Sequence, residues 1–126
     1  MSFSNTFETR VLTWVFTNGT ATRPTAWYLG LYTAAPGEGG GGTEVSGGSY
    51  AREVLALTVS GNAATNGSAI EFTAATASWG TVTYVGIFDA STSGTLIAYS
   101  ALDTSKTVGI GDILRFSIGD LDVTLD

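Results

Sequence analysis

Val82–Phe88 (VTYVGIF) and Thr95–Leu102 (TLIAYSAL), joined by the polar stretch Asp89–Gly94 (DASTSG), decide how this chain is read. Both runs are strand-length, apolar and rich in branched and aromatic residues. A short polar loop between two such runs is the signature of an antiparallel hairpin. Working outward, similar short runs recur after Thr20: Thr25–Thr33 (TAWYLGLYT), the alternating Tyr50–Val59, Ser68–Thr73 behind the Asn66-Gly67 turn signal, Ile113–Ile118 and Asp122–Leu125. Gly, Asn, Ser and Asp separate them, and no helical periodicity lies between them. Parallel crossover units are therefore not expected. The pattern predicts one domain over 1–126, mainly β: an antiparallel β-sandwich, jelly-roll or immunoglobulin-like.

The N-terminal segment differs. Ser4 suits an N-cap, and Phe7, Val11, Trp14 and Val15 then recur at spacings of three and four. This predicts a helix over 4–17, ended by Asn18-Gly19 in the left-handed conformation. Leu12 and Phe16 widen the apolar stripe. The stripe can pack on its own domain or on a neighbouring subunit, and the sequence favours neither. Ala34–Ser49 (AAPGEGGGGTEVSGGS) carries seven glycines and almost no apolar mass. It reads as an exposed loop or an arm reaching to another protein, with Gly37, Glu38, Gly40 and Glu44 as candidate contacts.

Composition excludes several chemistries. With no cysteine and no histidine, there are no disulfides, thiolate nucleophiles, imidazole bases or common zinc ligands. Five Lys and Arg against eleven Asp and Glu give a net charge of −6, which disfavours nucleic acid and anionic membrane surfaces as partners. No run approaches the ~20 apolar residues of a membrane-spanning helix. The glycine-rich stretch lacks the Gly-Lys-Ser/Thr of a phosphate loop. The carboxylates, Glu53, Glu71, Asp89, Asp103, Asp112, Asp120 and Asp122, show no catalytic pairing, and a calcium site from Asp120, Asp122 and Asp126 lacks a binding-loop pattern. Lys106, the lone lysine, sits in what reads as a solvated turn (DTSKTVG). Catalytic residues, cofactors and metals are accordingly not expected. Trp79, Tyr84 and Tyr99 could form a carbohydrate-binding platform, although core and sheet packing is the commoner use of such aromatics.

The segments TAWYLGLYTAAPGE, GTEVSGGSYAREVL, IEFTAATASWGTVTYVGIFDASTSGTLIAYSAL and KTVGIGDILRFSIGDLDVTLD carry a resemblance. With Trp79-Gly80, Val85–Asp89 and the Gly111-Asp112 turn before Leu114 as their most distinctive pieces, they resemble small phage and prophage virion proteins labelled tail-fibre-like. The resemblance runs from Thr25 to Asp126 and brings no active site. It implies a virion protein made in a bacterial cytoplasm. Two roles follow: a head decoration (cement) protein bound to the major capsid protein, or a tail or fibre component that touches the host. The absence of a long repetitive shaft favours decoration at the head surface. The apolar helix stripe and a hydrophobic fraction of 44% favour a homo-oligomer, a trimer first. The candidate partner-binding residues are Phe7, Val11, Trp14, Val15, Gly37, Glu38, Gly40 and Glu44.

Overall fold

A computed structural model describes residues 1–125 of the chain; Asp126, the third carboxylate of the calcium reading, lies outside the described residues. The elements run β1 (Ser2–Phe3), α1 (Asn5–Phe16), β2 (Tyr28–Ala34), β3 (Thr43–Glu44), β4 (Glu53–Val54), β5 (Leu57–Ser60), β6 (Ala63–Asn66), β7 (Ile70–Glu71), β8 (Gly80–Phe88), β9 (Leu96–Val108), β10 (Arg115–Phe116) and β11 (Asp122–Thr124). The main sheet has the order β1-β9-β8-β2-β3, with β4 also on β2; β11-β6-β5 and β10-β7 form two smaller sheets. Every described pairing is antiparallel. The expected antiparallel sandwich with one N-terminal helix is what the chain forms.

The core follows from alternation along the long strands. Leu29 and Leu31 of β2, Val82, Val85 and Ile87 of β8 and Ala98 of β9 turn inward and are at most 2% exposed. The smaller sheets close over them with Ile70, Phe72, Phe116 and Val123. Tyr50 stacks on Phe72 at 6.2 Å and meets Trp79 edge-on at 5.5 Å, the tilted and offset arrangements that ring quadrupoles favour. Asn66, fully buried, ties the lid together. Its amide donates to the carbonyls of Ser68 (3.0 Å) and Ser117 (2.9 Å), and its Oδ1 accepts from the Leu121 N–H (3.0 Å).

Several boundaries differ from expectation. Tyr50–Val59 is not one strand. It splits into β4 and β5 around Leu55, which is buried and donates its N–H to the Trp27 carbonyl at 2.8 Å. β5 then turns into an unforeseen partner, β6, through Gly61-Asn62, with Ser60 opposite Ala63. Gly61 takes a φ of +61°, which a two-residue primed turn requires at its first position. Lys106 is not in a turn: it lies in β9 opposite Val82, just after Leu102–Ser105 bulge from the ladder. Ser68–Thr73 and Ile113–Ile118 shrink to the pairs in β7 and β10, and Ile113, Ile118 and Leu125 stay exposed. The helix ends at Thr17 in an extended conformation (φ −133°), its hydroxyl bonded to the Thr13 carbonyl; Asn18-Gly19 does not supply a left-handed stop.

Candidate functional site

The helix is built to stand on the sheet by its first turn. Ser4 is its N-cap and accepts from the Phe7 N–H at 3.3 Å. The same hydroxyl donates to the Leu96 carbonyl, and the Ser4 N–H donates to Ile97 at 2.8 Å. β1, just before it, pairs with Tyr99 and Ala98 of β9. Arg10 reaches the hydroxyl of Thr95 (3.4 Å) and the carboxylate of Asp89 (4.0 Å), so the helix lies at the loop end of the β8–β9 hairpin.

Beyond that support the helix is bare. Phe7 and Val11 are half-buried, but Leu12 is 57%, Val15 51%, Trp14 67% and Phe16 77% exposed. None of its residues is fully buried. Of the sequence-predicted contacts, Phe7, Val11 and Trp14 come together with Pro24 along a groove of about 280 Å³, rimmed by Arg10 and Arg23. Val15 lies outside that lining. Leu12 and Phe16, noticed in the sequence only as widening the stripe, form a second exposed row. Their signal was present: apolar residues occupy more of the helix circumference than one sheet contact can cover.

The glycine-rich segment is not a projecting arm. Pro36 and Val45 are buried, and β3 within it pairs with β2. Gly37 and Gly40 close a turn, with the Gly40 N–H on the Gly37 carbonyl at 3.2 Å. Glu38 sits on that turn, and its main-chain carbonyl accepts from Asn5 at the start of α1, 3.1 Å away. The turn thus meets the helix through the Glu38 carbonyl alone, and Glu38 and Gly40 stay exposed.

Glu44 is committed internally as well. Both its oxygens accept from Arg52, each at 2.8 Å, and Oε1 also accepts from the Tyr50 hydroxyl at 2.8 Å. Tyr50 in turn accepts from the Leu31 N–H at 2.9 Å. Arg52 also donates to the carbonyls of Ala90 (2.9 Å) and Ser93 (2.7 Å) and lies 3.4 Å over the Phe88 ring. This fork holds the hairpin loop, β3 and the outer face of the main sheet in one network. That face is paved by Tyr32, Phe88 and Leu96, with Tyr84 and Tyr99 beside them. The rings lie over glycines: a Cβ at Gly86 would sit 2.8 Å from Leu96 and 3.0 Å from Tyr32. Burial, reinforced by Glu44, pushes the Tyr32 hydroxyl up to about 12. Burial also holds Tyr50 well above the ordinary tyrosine range, with Glu44 adding to it and the Leu31 N–H opposing it.

The proposed sugar platform does not assemble. Trp79 is 5% exposed and donates its indole N–H to the Gly48 carbonyl at 3.0 Å; Tyr84 and Tyr99 belong to the other face of the sheet. A polar cleft of about 520 Å³ lies at the far end of β9, beside its bulge, and holds Asp103, Lys106, Arg115, Asp120 and Asp122. Two of its carboxylates serve local structure: Asp120 accepts from the Ser117 N–H (2.8 Å) and Asp122 from the Thr65 hydroxyl (2.7 Å). Among the described residues no group of three His, Cys, Asp or Glu is placed to hold a metal ion. No described helix is long and apolar enough to cross a membrane.

No curated protein matches the chain. The family described as podophage GP4 fiber I protein gp80 does match, over residues 2–124. That span takes in the helix, the folded glycine-rich segment and all three sheets, so the likeness embraces the whole described architecture. The chain belongs to the podophage GP4 fiber I protein gp80 family.

Proposed function

We propose that this chain is a structural subunit of a phage fibre and acts by assembling with other virion proteins, without catalysing a reaction. The family supports a phage structural protein. The observation that carries the assembly role is α1: four large apolar side chains left in water on a helix anchored only over its first two turns. An exposed apolar patch of this kind marks an interaction surface. The head-decoration reading, a clamp on the major capsid protein, would use the same exposed helix; the family's description as a fiber protein is what favours the fibre.

Immunogold labelling of purified virions with antibody against this chain tests the reading. Label on the fibres is the expected result. Label spread over the capsid faces supports the decoration role instead, and virions free of label overturn both.

A further inference from the structure

We infer that the open edge of β5 is a self-pairing surface, to which a second copy of this chain adds its own β5, antiparallel, so that two three-stranded sheets merge into one. This rests on the sheet edge alone, apart from α1 and from the fibre reading.

The first observation is which edges are guarded. An open strand edge presents unpaired N–H and C=O groups, and chains block it with charges, bulges or very short strands. Among the described residues, the other edges all have such a device. The outer edge of β9 beyond Tyr99 is broken by the bulge at Leu102–Ser105 and followed by Lys106. β1, β3, β4, β7 and β10 are two residues long, and the last four carry Glu44, Glu53, Glu71 and Arg115; β11 carries Asp122. β5 (LTVS) is an edge of its sheet, four residues long, without bulge or charge. Residues 54–70 around it hold no Asp, Glu, Lys or Arg, so a chain of net charge −6 can meet its copy here without a like-charge contact.

The second is what the edge offers. Ser60 opposite Ala63 closes the turn, so Ser60 and Thr58 exchange their main-chain bonds with β6, and the alternate residues Leu57 and Val59 aim theirs outward. Val59 stands opposite Ala64, itself opposite the buried Val123, and so lies on the core face of the sheet. It is nevertheless 73% exposed, because no described strand lies beyond it. A further strand at this edge covers it.

The third selects a second copy. With Thr58 set opposite the partner's Thr58, Leu57 of each copy falls opposite Val59 of the other. Leu57 and Val59 are the outward-aimed residues, so each pair exchanges both its N–H···O bonds. Apolar meets apolar on the core face, and threonine meets threonine on the outer face, a favourable cross-strand pair. One patch serves both copies, as a twofold contact requires.

The contact is short and of the transient class, so a covalent trap tests it. The chain has no cysteine, and Thr58→Cys can therefore link only to another copy. Directly opposed residues of a non-bonded pair hold their Cα atoms ~4.5 Å apart, within disulfide reach. Under mild oxidation of the full chain at equal concentrations, Thr58→Cys is expected to form covalent dimer about tenfold faster than Thr92→Cys, an exposed position in the β8–β9 loop. Adding Val59→Pro, which removes an outward N–H and no bond to β6, is expected to bring the rate down to that of Thr92→Cys. Val59→Lys keeps every main-chain bond and should do the same, which preserves the test if circular dichroism shows the proline variant unfolded. Linking of Thr58→Cys at the rate of Thr92→Cys overturns the inference. So does fast linking that neither Val59 variant slows. Fibres that carry label while Thr58→Cys links slowly refute the pairing and leave the proposed function standing; fast linking with virions free of label does the reverse.

Discussion

Replacing Arg52 with alanine tests the account of the fork most directly. The guanidinium is 7% exposed and its partner Glu44 25%. The substitution removes two charge-assisted bonds to Glu44, two bonds to loop carbonyls and the layer over Phe88. It also leaves Glu44 partly buried with the Tyr50 hydroxyl as its remaining side-chain donor. Breaking a buried pair from one side costs roughly 3–5 kcal/mol; the solvent access of Glu44 places this case near ~3. For a domain of this size that corresponds to a fall of roughly 10–15 °C in melting temperature. Urea unfolding at pH 7, followed by the fluorescence of buried Trp79, gives the free energy. Arg52→Lys keeps the charge without the fork and should lose about half as much, which preserves the comparison if the alanine variant does not fold. A cost below ~1 kcal/mol for Arg52→Ala, the range of an exposed ion pair, would refute the reasoning.

Other expectations follow from the same packing. Gly86→Ala should destabilise by ~1–3 kcal/mol through overpacking under Tyr32 and Leu96, read from the urea midpoint; a neutral effect would show the face to be loose. Asn66→Ala strands two carbonyls and one N–H in the lid, and a loss of ~3 kcal/mol or more is expected by thermal melting; a loss under 1 would mean water replaces the side chain. Tyr32 and Tyr50 hold their protons more tightly when folded than when unfolded. Their contribution is complete below pH 10 and declines above it, by up to ~1.4 kcal/mol per pH unit for each, as the unfolded chain ionises first. Melting scans from pH 9 to 12 should therefore show falling stability that Tyr32→Phe makes shallower.

Local signals revealed what local physics builds. The cap at Ser4 with the three-and-four spacing after it disclosed α1, and two apolar runs around a polar loop disclosed the β8–β9 hairpin. The β5–β6 hairpin escaped because β6, Ala-Ala-Thr-Asn, has no apolar bulk, and because alternation ran on through the break at Leu55. The glycine-rich segment is mostly exposed, as its composition suggested, but composition did not disclose how it is tied down. Its few other residues decide its place: Val45 enters the core and Glu44 meets Arg52, a partner in a loop that no repeat spacing connects to it. The helix was legible as amphipathic, but its exposure was not. Only the finished sheet shows that Ser4 is the point of attachment and that support ends after the second turn.

That attachment has a mechanical meaning. A pull on the N-terminal end of α1 enters the sandwich through Ser4 and the two residue pairs of β1, which pass it into β9, helped by the Glu38 carbonyl on Asn5 and by Arg10. β9 is laced to β8 on both sides of its bulge, and β8 to β2 over five pairs. The short β1 ladder is the weakest link on this path. Under load the helix should peel away at Ser4 while the sandwich stays shut, so the junction works as a fuse that yields before the domain does.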